Sequence, residues 1–214
     1  GLAVHNHQES LFYGSQVLLS VEEVAMKGRH NIGNALAALA LGHAAGLPIV
    51  SMLETLRTFK GLPHRCEAIA TIDNVSYIND SKGTNIGATL AAIEGFGSDS
   101  YKNLLLIAGG QGKGQDFDGL KEAADSFVKC GFLYGEDAQQ LEDALHSVTK
   151  VYRADSLVEA VAVAKSAARP GDIVLLSPAC ASFDSFTGFE ERGHCFSQAV
   201  LSPVKTGSRE GMTS

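Results

Sequence analysis

Three stretches of this chain gather the kinds of side chain that hold anions. INDSKGTN, residues 78–85, places Asp80, Lys82 and Thr84 beside two asparagines within eight positions. GGQGKGQDF, residues 109–117, sets Lys113 among glycines. LLSPACASFDSFTGFEERG, residues 175–193, breaks an apolar run into small and hydroxyl-bearing residues up to Ser182, then turns aromatic at Phe183, Phe186 and Phe189. A lysine is a point charge for a carboxylate or phosphate, hydroxyls donate to the same oxygens, and small residues let a ligand approach the backbone. A helix that opens after such a loop adds amides of partial positive charge. Together these features suit the holding of a small anion.

Each feature also has a plainer use. Thr84 or Asn85 serves as a helix cap, although a cap requires neither Asp80 nor Lys82. Lys113 fits a surface loop with a solvated ammonium. The three phenylalanines, three residues apart, read as a packing stripe, and Glu190-Glu191-Arg192 reads as a solvated face. Upstream, His30-Asn31-Ile32-Gly33-Asn34 starts a helix. Asn31 and Asn34, one turn apart, either cap that helix or read a purine edge, and His30 reads as structural. The glycines around Lys113 match no phosphate-binding fingerprint. A Walker loop needs Gly where Ile107 stands and Ser or Thr where Gly114 stands; a dinucleotide loop starting at Gly110 needs Gly at Gln115.

Composition narrows the class. With 45% hydrophobic and 19% charged residues over 214 positions, the chain is globular and holds one large domain or a domain and a fraction. A formal charge of −7 argues against general affinity for nucleic acid or an anionic membrane, so local cations must hold any anionic ligand. No apolar run is long enough to span a bilayer. Gly1-Leu2-Ala3-Val4-His5 does not read as a secretory leader, and a first residue other than Met suggests a piece of something longer. Cys66, Cys130, Cys180 and Cys195 lack the paired spacing of a zinc site and read as reduced thiols in a cytoplasmic protein.

The elements that must position these loops follow from periodicity. Residues 10–20 predict two short strands around Gly14-Ser15. A helix from Asn31 to Gly46 follows, then a second one capped by Ser51. The pattern breaks at Lys60–Arg65, where a domain boundary is placed. Beyond it a hairpin turns at Asp73-Asn74. Strands over 104–108, 131–134, 148–152 and 172–176 then alternate with helices over 85–95, 119–129, 138–147, 156–168 and 186–201. Apolar strands separated by helices predict an α/β fold, a parallel sheet with helices on both faces. In such sheets ligands bind beyond the carboxyl ends of strands, where the three loops would lie.

GRHNIGNALAA at 28–38, GLPHRCE at 61–67, and the three stretches above resemble, in order and spacing, the Mur ligases. These are ATP-dependent amino-acid ligases of peptidoglycan precursor synthesis. The last stretch is more similar to the members that add D-glutamate than to those that add alanine, diaminopimelate or lysine. The resemblance implies residues 1–61 as the end of a central ATP-binding domain, 62–205 as a Rossmann-like amino-acid-binding domain and 206–214 as a flexible tail. It implies a whole enzyme that uses ATP and Mg2+ to join D-glutamate to UDP-N-acetylmuramoyl-L-alanine through an acyl phosphate, as a monomer. It places Asn31 and Asn34 near the adenine, Arg65 on the phosphates, and Asp80 and Lys82 on the nucleotide side. Thr84, Lys113, Ser182 and Phe189 would line the D-glutamate pocket, with Arg65 and Lys113 in catalytic roles. The Walker loop and metal ligands of the family do not occur in these residues, so this stretch alone is expected to be inactive. Other Mur-type or folylpolyglutamate-type ligases, or a non-catalytic nucleotide-binding module, are the alternatives.

Overall fold

Two runs of the sequence admit no polar alternation, and both become central strands. They are β6 (Leu104–Gly109), buried throughout, and β9 (Ile173–Leu176). The computed structural model describes residues 1–5 and 8–202, so the expected tail at 206–214 lies outside the described residues. Around those strands stand β4 (Glu67–Ile72), β5 (Val75–Asn79), β7 (Val128–Tyr134) and β8 (Lys150–Arg153), in the order β4-β5-β9-β6-β7-β8. All neighbours pair in parallel except β4 with β5. That hairpin turns through Asp73 and Asn74 with φ of 50° and 60°, the left-handed pair that a two-residue turn matched to strand twist requires.

Helices cover both faces, as expected for parallel strands that are apolar on both sides. α3 (Ile86–Phe96), α4 (Lys121–Phe127) and α5 (Ala138–Leu145) pack on one face, where Ile93, Ala124, Leu141 and Leu145 meet Leu104, Leu106 and Leu175. α6 (Leu157–Ala167) and α7 (Phe189–Leu201) pack on the other, where Val161, Phe196 and Val200 meet Leu105, Ile107 and Val174. A smaller core belongs to the first sixty residues. There β1 (Leu2–His5), β2 (Gln8–Tyr13) and β3 (Gln16–Ser20) form an antiparallel sheet, and Leu11 and Leu19 pack with Ile32, Ala35 and Leu39 of α1 (Arg29–Ala44) and Leu56 of α2 (Ile49–Thr58).

Several boundaries differ from the sequence reading. β1 is an additional strand. α1 starts at Arg29 behind Gly28, so Asn31 lies inside it, and Ser51 lies inside α2 behind Pro48. Val128 and Lys129 belong to β7 rather than a helix, because Val128 pairs with Leu104 and is fully buried. α7 begins at Phe189, not Phe186, because Ser182 O accepts the amides of Ser185 and Phe186 in a separate turn.

The largest correction concerns Arg192, read as solvated and found 0% exposed. It projects from α7 beneath the sheet's carboxyl rim and ties three loops together. Nη2 donates to Ser81 O at 2.8 Å and Nε to Ser81 Oγ at 3.0 Å. Nη1 donates to Cys180 O at 3.0 Å and Gly109 O at 3.4 Å. These acceptors lie just beyond β5 and β9 and at the last residue of β6. Replacing a planar five-donor fork by an apolar chain strands buried acceptors. Arg192→Met is therefore expected to lose roughly 2–4 kcal/mol in urea unfolding. A loss below about 1 kcal/mol would show that the clamp is not holding the rim.

Candidate functional site

Because β9 lies between β5 and β6, the chain leaves three adjacent strands in two directions. The loops after β5 and β6 run to α3 and α4 on one face, and the loop after β9 runs to α7 on the other. This is the topological switch point at which open α/β sheets form a crevice. Backbone bonds stitch the loops together. Gln111 and Ala181 exchange both amide bonds at 2.9 Å, Gly109 N donates to Pro178 O at 3.0 Å, and Ala179 N donates to Gly83 O at 3.0 Å.

The small residues after β9 are consumed by this packing rather than left open to a ligand. Ser177, Ala179 and Cys180 are fully buried, and Ala179 has a left-handed φ of 59°. Ser177 Oγ donates to Asp80 Oδ2 at 2.8 Å and shares a 3.0 Å hydrogen bond with Thr89 Oγ1, which accepts from Ala179 N. A Cβ at Gly83 would strike Asp80 Oδ2 and one at Gly110 would strike Ala181 O, so both loops need glycine where they cross. Ser182 is buried as well, at 3% exposed, and the stretch first opens to solvent at Phe183.

The three phenylalanines divide three ways. Phe186 packs with the α6–α7 core. Phe183 is 64% exposed, 5.3 Å from the ammonium of Lys113. Phe189 is half-buried, with Lys82 Nζ 3.9 Å above its ring and His64 at its edge. The first-turn amides of α7 receive no side-chain cap, and just ahead of the helix Glu191 Oε2 accepts from Thr187 N and Oγ1 at 2.7 Å. Lys113 is exposed, at a φ of 56°. Gly112 N, the preceding amide, donates to Asp137 Oδ2 at 2.6 Å. Thr84 is half-buried, and its amide donates to Lys82 O at 2.8 Å.

A second feature adjoins the rim. A cleft of about 750 Å³ runs between α1–α2 and the loop after β5, lined by Asn31, Asn34, Arg65, Asp80, Lys82 and Thr84. Asn31 Nδ2 donates to Lys27 O at 2.7 Å and Asn34 Nδ2 to Asn31 Oδ1 at 3.2 Å, which aligns the two amides on one side of α1. Neither caps the helix. Arg65 is exposed, and among the described residues none of Arg65, Lys82 and Lys113 is in a salt bridge. His30 inserts between Gly28 and Gly95 with its edge on Phe96. Its Nδ1 is buried without a hydrogen-bond partner, and burial lowers its pKa. Burial also pushes the Asp80 carboxyl up to about 6, against the Ser177 hydroxyl, the Cys66 amide and the charge of Arg65.

Reading by residue type missed the side chains that hold the site from behind. Asn79, fully buried, donates to Gly193 O and shares a hydrogen bond with His64 Nδ1, and its Oδ1 accepts from Ser81 N. Burial, then the nearby His194, lowers the His64 pKa. For Arg192 a signal existed. Phe189, Gly193, Phe196 and Val200 form the inward stripe of α7, and an arginine beside Gly193 on that stripe is placed to face inward. The described residues contain no group of three or more His, Cys, Asp or Glu able to hold a metal ion.

Comparison with known proteins agrees with this geometry. A family model described as "Mur ligase, glutamate ligase domain" matches residues 64–180. The UDP-N-acetylmuramoylalanine--D-glutamate ligase of Acinetobacter baylyi is 54% identical over 190 residues, 87% of this chain and 42% of that protein. The protein of the same name from Pseudomonas fluorescens is 50% identical over 200 residues, 94% of this chain and 45% of that one. The chain thus spans less than half the length of these relatives. Among solved structures, E. coli FolC in complex with ADP is similar with a TM-score of 0.60 and 20% identity, over 90% of this chain and 44% of that one. The folylpolyglutamate synthase of Thermotoga maritima gives 0.58 and 17%, over 95% and 46%. At these identities the structural likeness is one of fold. The match over 64–180 takes in β4, β5, β6 and β9, with the loops that follow β5 and β6, and the chain belongs to the Mur ligase family through its glutamate ligase domain.

Proposed function

We propose that this chain is the amino-acid-holding part of an ATP-dependent ligase that joins D-glutamate to UDP-N-acetylmuramoyl-L-alanine. The observation that carries the reading is the stitched rim: loops bearing Thr84, Lys113 and Ser182 leave adjacent strands and hydrogen-bond to one another. Residues 62–205 supply that rim, and residues 1–61 supply the far wall of the cleft. The names of the relatives at 50–54% identity point to the same substrates.

In this reading the Lys113 ammonium and the Thr84 and Ser182 hydroxyls donate to the two carboxylates of D-glutamate, and Phe189 forms a wall. Asn31 and Asn34 read the adenine edge, and Arg65 lies against the phosphates with Asp80 and Lys82 beside them. Those residues and the size of the cleft fit a nucleotide, and FolC, which shares the fold, is known with ADP. Bound ATP supplies the phosphoryl group that activates the acceptor carboxylate. The residues here hold the amino acid so that its neutral amine attacks the activated carbonyl, the carbon–nitrogen bond forming as phosphate leaves with the bonding pair. Among the described residues no group of three or more His, Cys, Asp or Glu is placed to hold Mg2+. The reading is of a cytoplasmic protein; among the described residues no helix is long and apolar enough to cross a membrane.

Calorimetric titration tests the pocket. D-glutamate is expected to bind the chain weakly but more tightly than L-glutamate. Lys113→Ala is expected to weaken it roughly ten- to hundredfold, the worth of a charge-assisted hydrogen bond. Identical heats for the two enantiomers would exclude a stereospecific site.

Asp80 generates a second test. Its folded pKa of about 6 lies above the ordinary 3.8, so the fold favours the protonated form. That contribution is fully present below the ordinary value and is lost as pH rises through about 6. Between those values the wild type should lose stability relative to Asp80→Asn, whose side chain stays neutral. Parallel stability profiles for the two proteins would show that burial does not control this carboxyl.

A further inference from the structure

We infer that Gln115 is a positioning residue for the amino-acid site, setting the distance between the Lys113 loop and the loops that carry Thr84 and Ser182. The inference rests on the proposed roles of those three residues. In the sequence Gln115 stands out only as the residue that spoils the dinucleotide fingerprint. In the structure it is half-buried and joins all three loops. Its Oε1 accepts from Ile86 N, the first amide of α3, at 3.2 Å. Its Nε2 donates to Gly112 O at 2.9 Å and to Ala179 O at 3.1 Å.

The amide orientation is fixed by its partners. Turning it over would set an NH2 group against an N–H and an oxygen against two carbonyls. Each contact also falls next to a proposed site residue. Ile86 is two residues after Thr84, Gly112 immediately precedes Lys113, and Ala179 is three before Ser182. The bond to Gly112 O fixes the peptide plane about which the φ of Lys113 is defined, and the bond to Ala179 O fixes the plane that follows Ala179. Both residues are left-handed, at 56° and 59°, a conformation that side-chain-bearing residues keep only when their surroundings hold them there. Without Gln115, Lys113 relaxes toward ordinary φ and its ammonium leaves its place 5.3 Å from the Phe183 ring.

The test titrates D-glutamate and, separately, ATP into the full chain as wild type, Gln115→Ala, Gln115→Glu, Lys113→Ala and the double variant Gln115→Ala/Lys113→Ala. Gln115→Ala is expected to weaken D-glutamate roughly three- to tenfold, the worth of about one hydrogen bond, with ATP affinity unchanged within twofold. Gln115→Glu should weaken it more, because a carboxylate then faces two carbonyls. The double variant should bind no more weakly than Lys113→Ala alone, because Gln115 acts through that lysine. Unchanged D-glutamate affinity in Gln115→Ala, equal losses for both ligands, or additive effects would overturn the inference. A wild type that binds no D-glutamate would defeat the proposed function instead. In that event amide exchange decides the positioning role: faster exchange at Ile86 and Lys113 in Gln115→Ala supports it, and unchanged exchange overturns it.

Discussion

The rim of the sheet is organised around a buried guanidinium that is solvated by dipoles alone. No carboxylate lies in ion-pair range of Arg192 among the described residues, and its bonds go to carbonyl oxygens of three loops and one hydroxyl. Burying an arginine this way is costly unless its donors are well used, and a planar fork can serve several acceptors at once. The arrangement has a consequence for ligand chemistry. An internal carboxylate here would leave the centre of the rim neutral, whereas carbonyl acceptors leave a net positive charge beneath a surface meant to hold anions. In a chain of formal charge −7, that local excess matters.

Around this centre the site is built in two shells of opposite character. The inner shell is small and saturated: Ser177, Thr89 and the Ala179 amide form a chain of hydrogen bonds that ends on Asp80, and Asn79 joins β5 to α7 through Gly193. The outer shell is charged and spare, with Lys113 and Lys82 resting over Phe183 and Phe189. The cation near the exposed Phe183 ring is held only by about 1 kcal/mol, which orients it without committing it. A carboxylate arriving at the rim therefore displaces little.

The cleft depends on contact between the two cores. His30 of α1 lies in a notch where Cβ atoms at Gly28 and Gly95 would collide with its ring, and it packs edge-on to Phe96 at the end of α3. That contact sets the separation between Asn31 and Asn34 on one wall and Asp80 and Lys82 on the other. The connection between the cores runs through Gly61 at a φ of 96° and His64 at 62°, a sharply turned segment that hands the chain directly from one wall to the other.

Much of the fold was legible because it rests on local signals. Unbroken apolar runs at 104–108 and 173–176, the Asp73-Asn74 turn and the capping residue Asn85 act over a few positions, and the strands and helices they predict are present. The five motifs whose order resembles the Mur ligases are also a property of the chain alone, and the family match agrees with them. Tertiary structure decided the rest. That β9 enters between β5 and β6 is a matter of long-range pairing, and only that pairing turns Arg192 from a helix-surface residue into the buried clamp of three loops. It likewise assigned the small residues of 177–181 to packing and gave Gln115 its three partners, since hydrogen bonds between residues 29 and 64 positions apart leave no periodic trace in sequence. Residue type and spacing determine which side chains are able to bind an anion; the strand order determines which of them can meet.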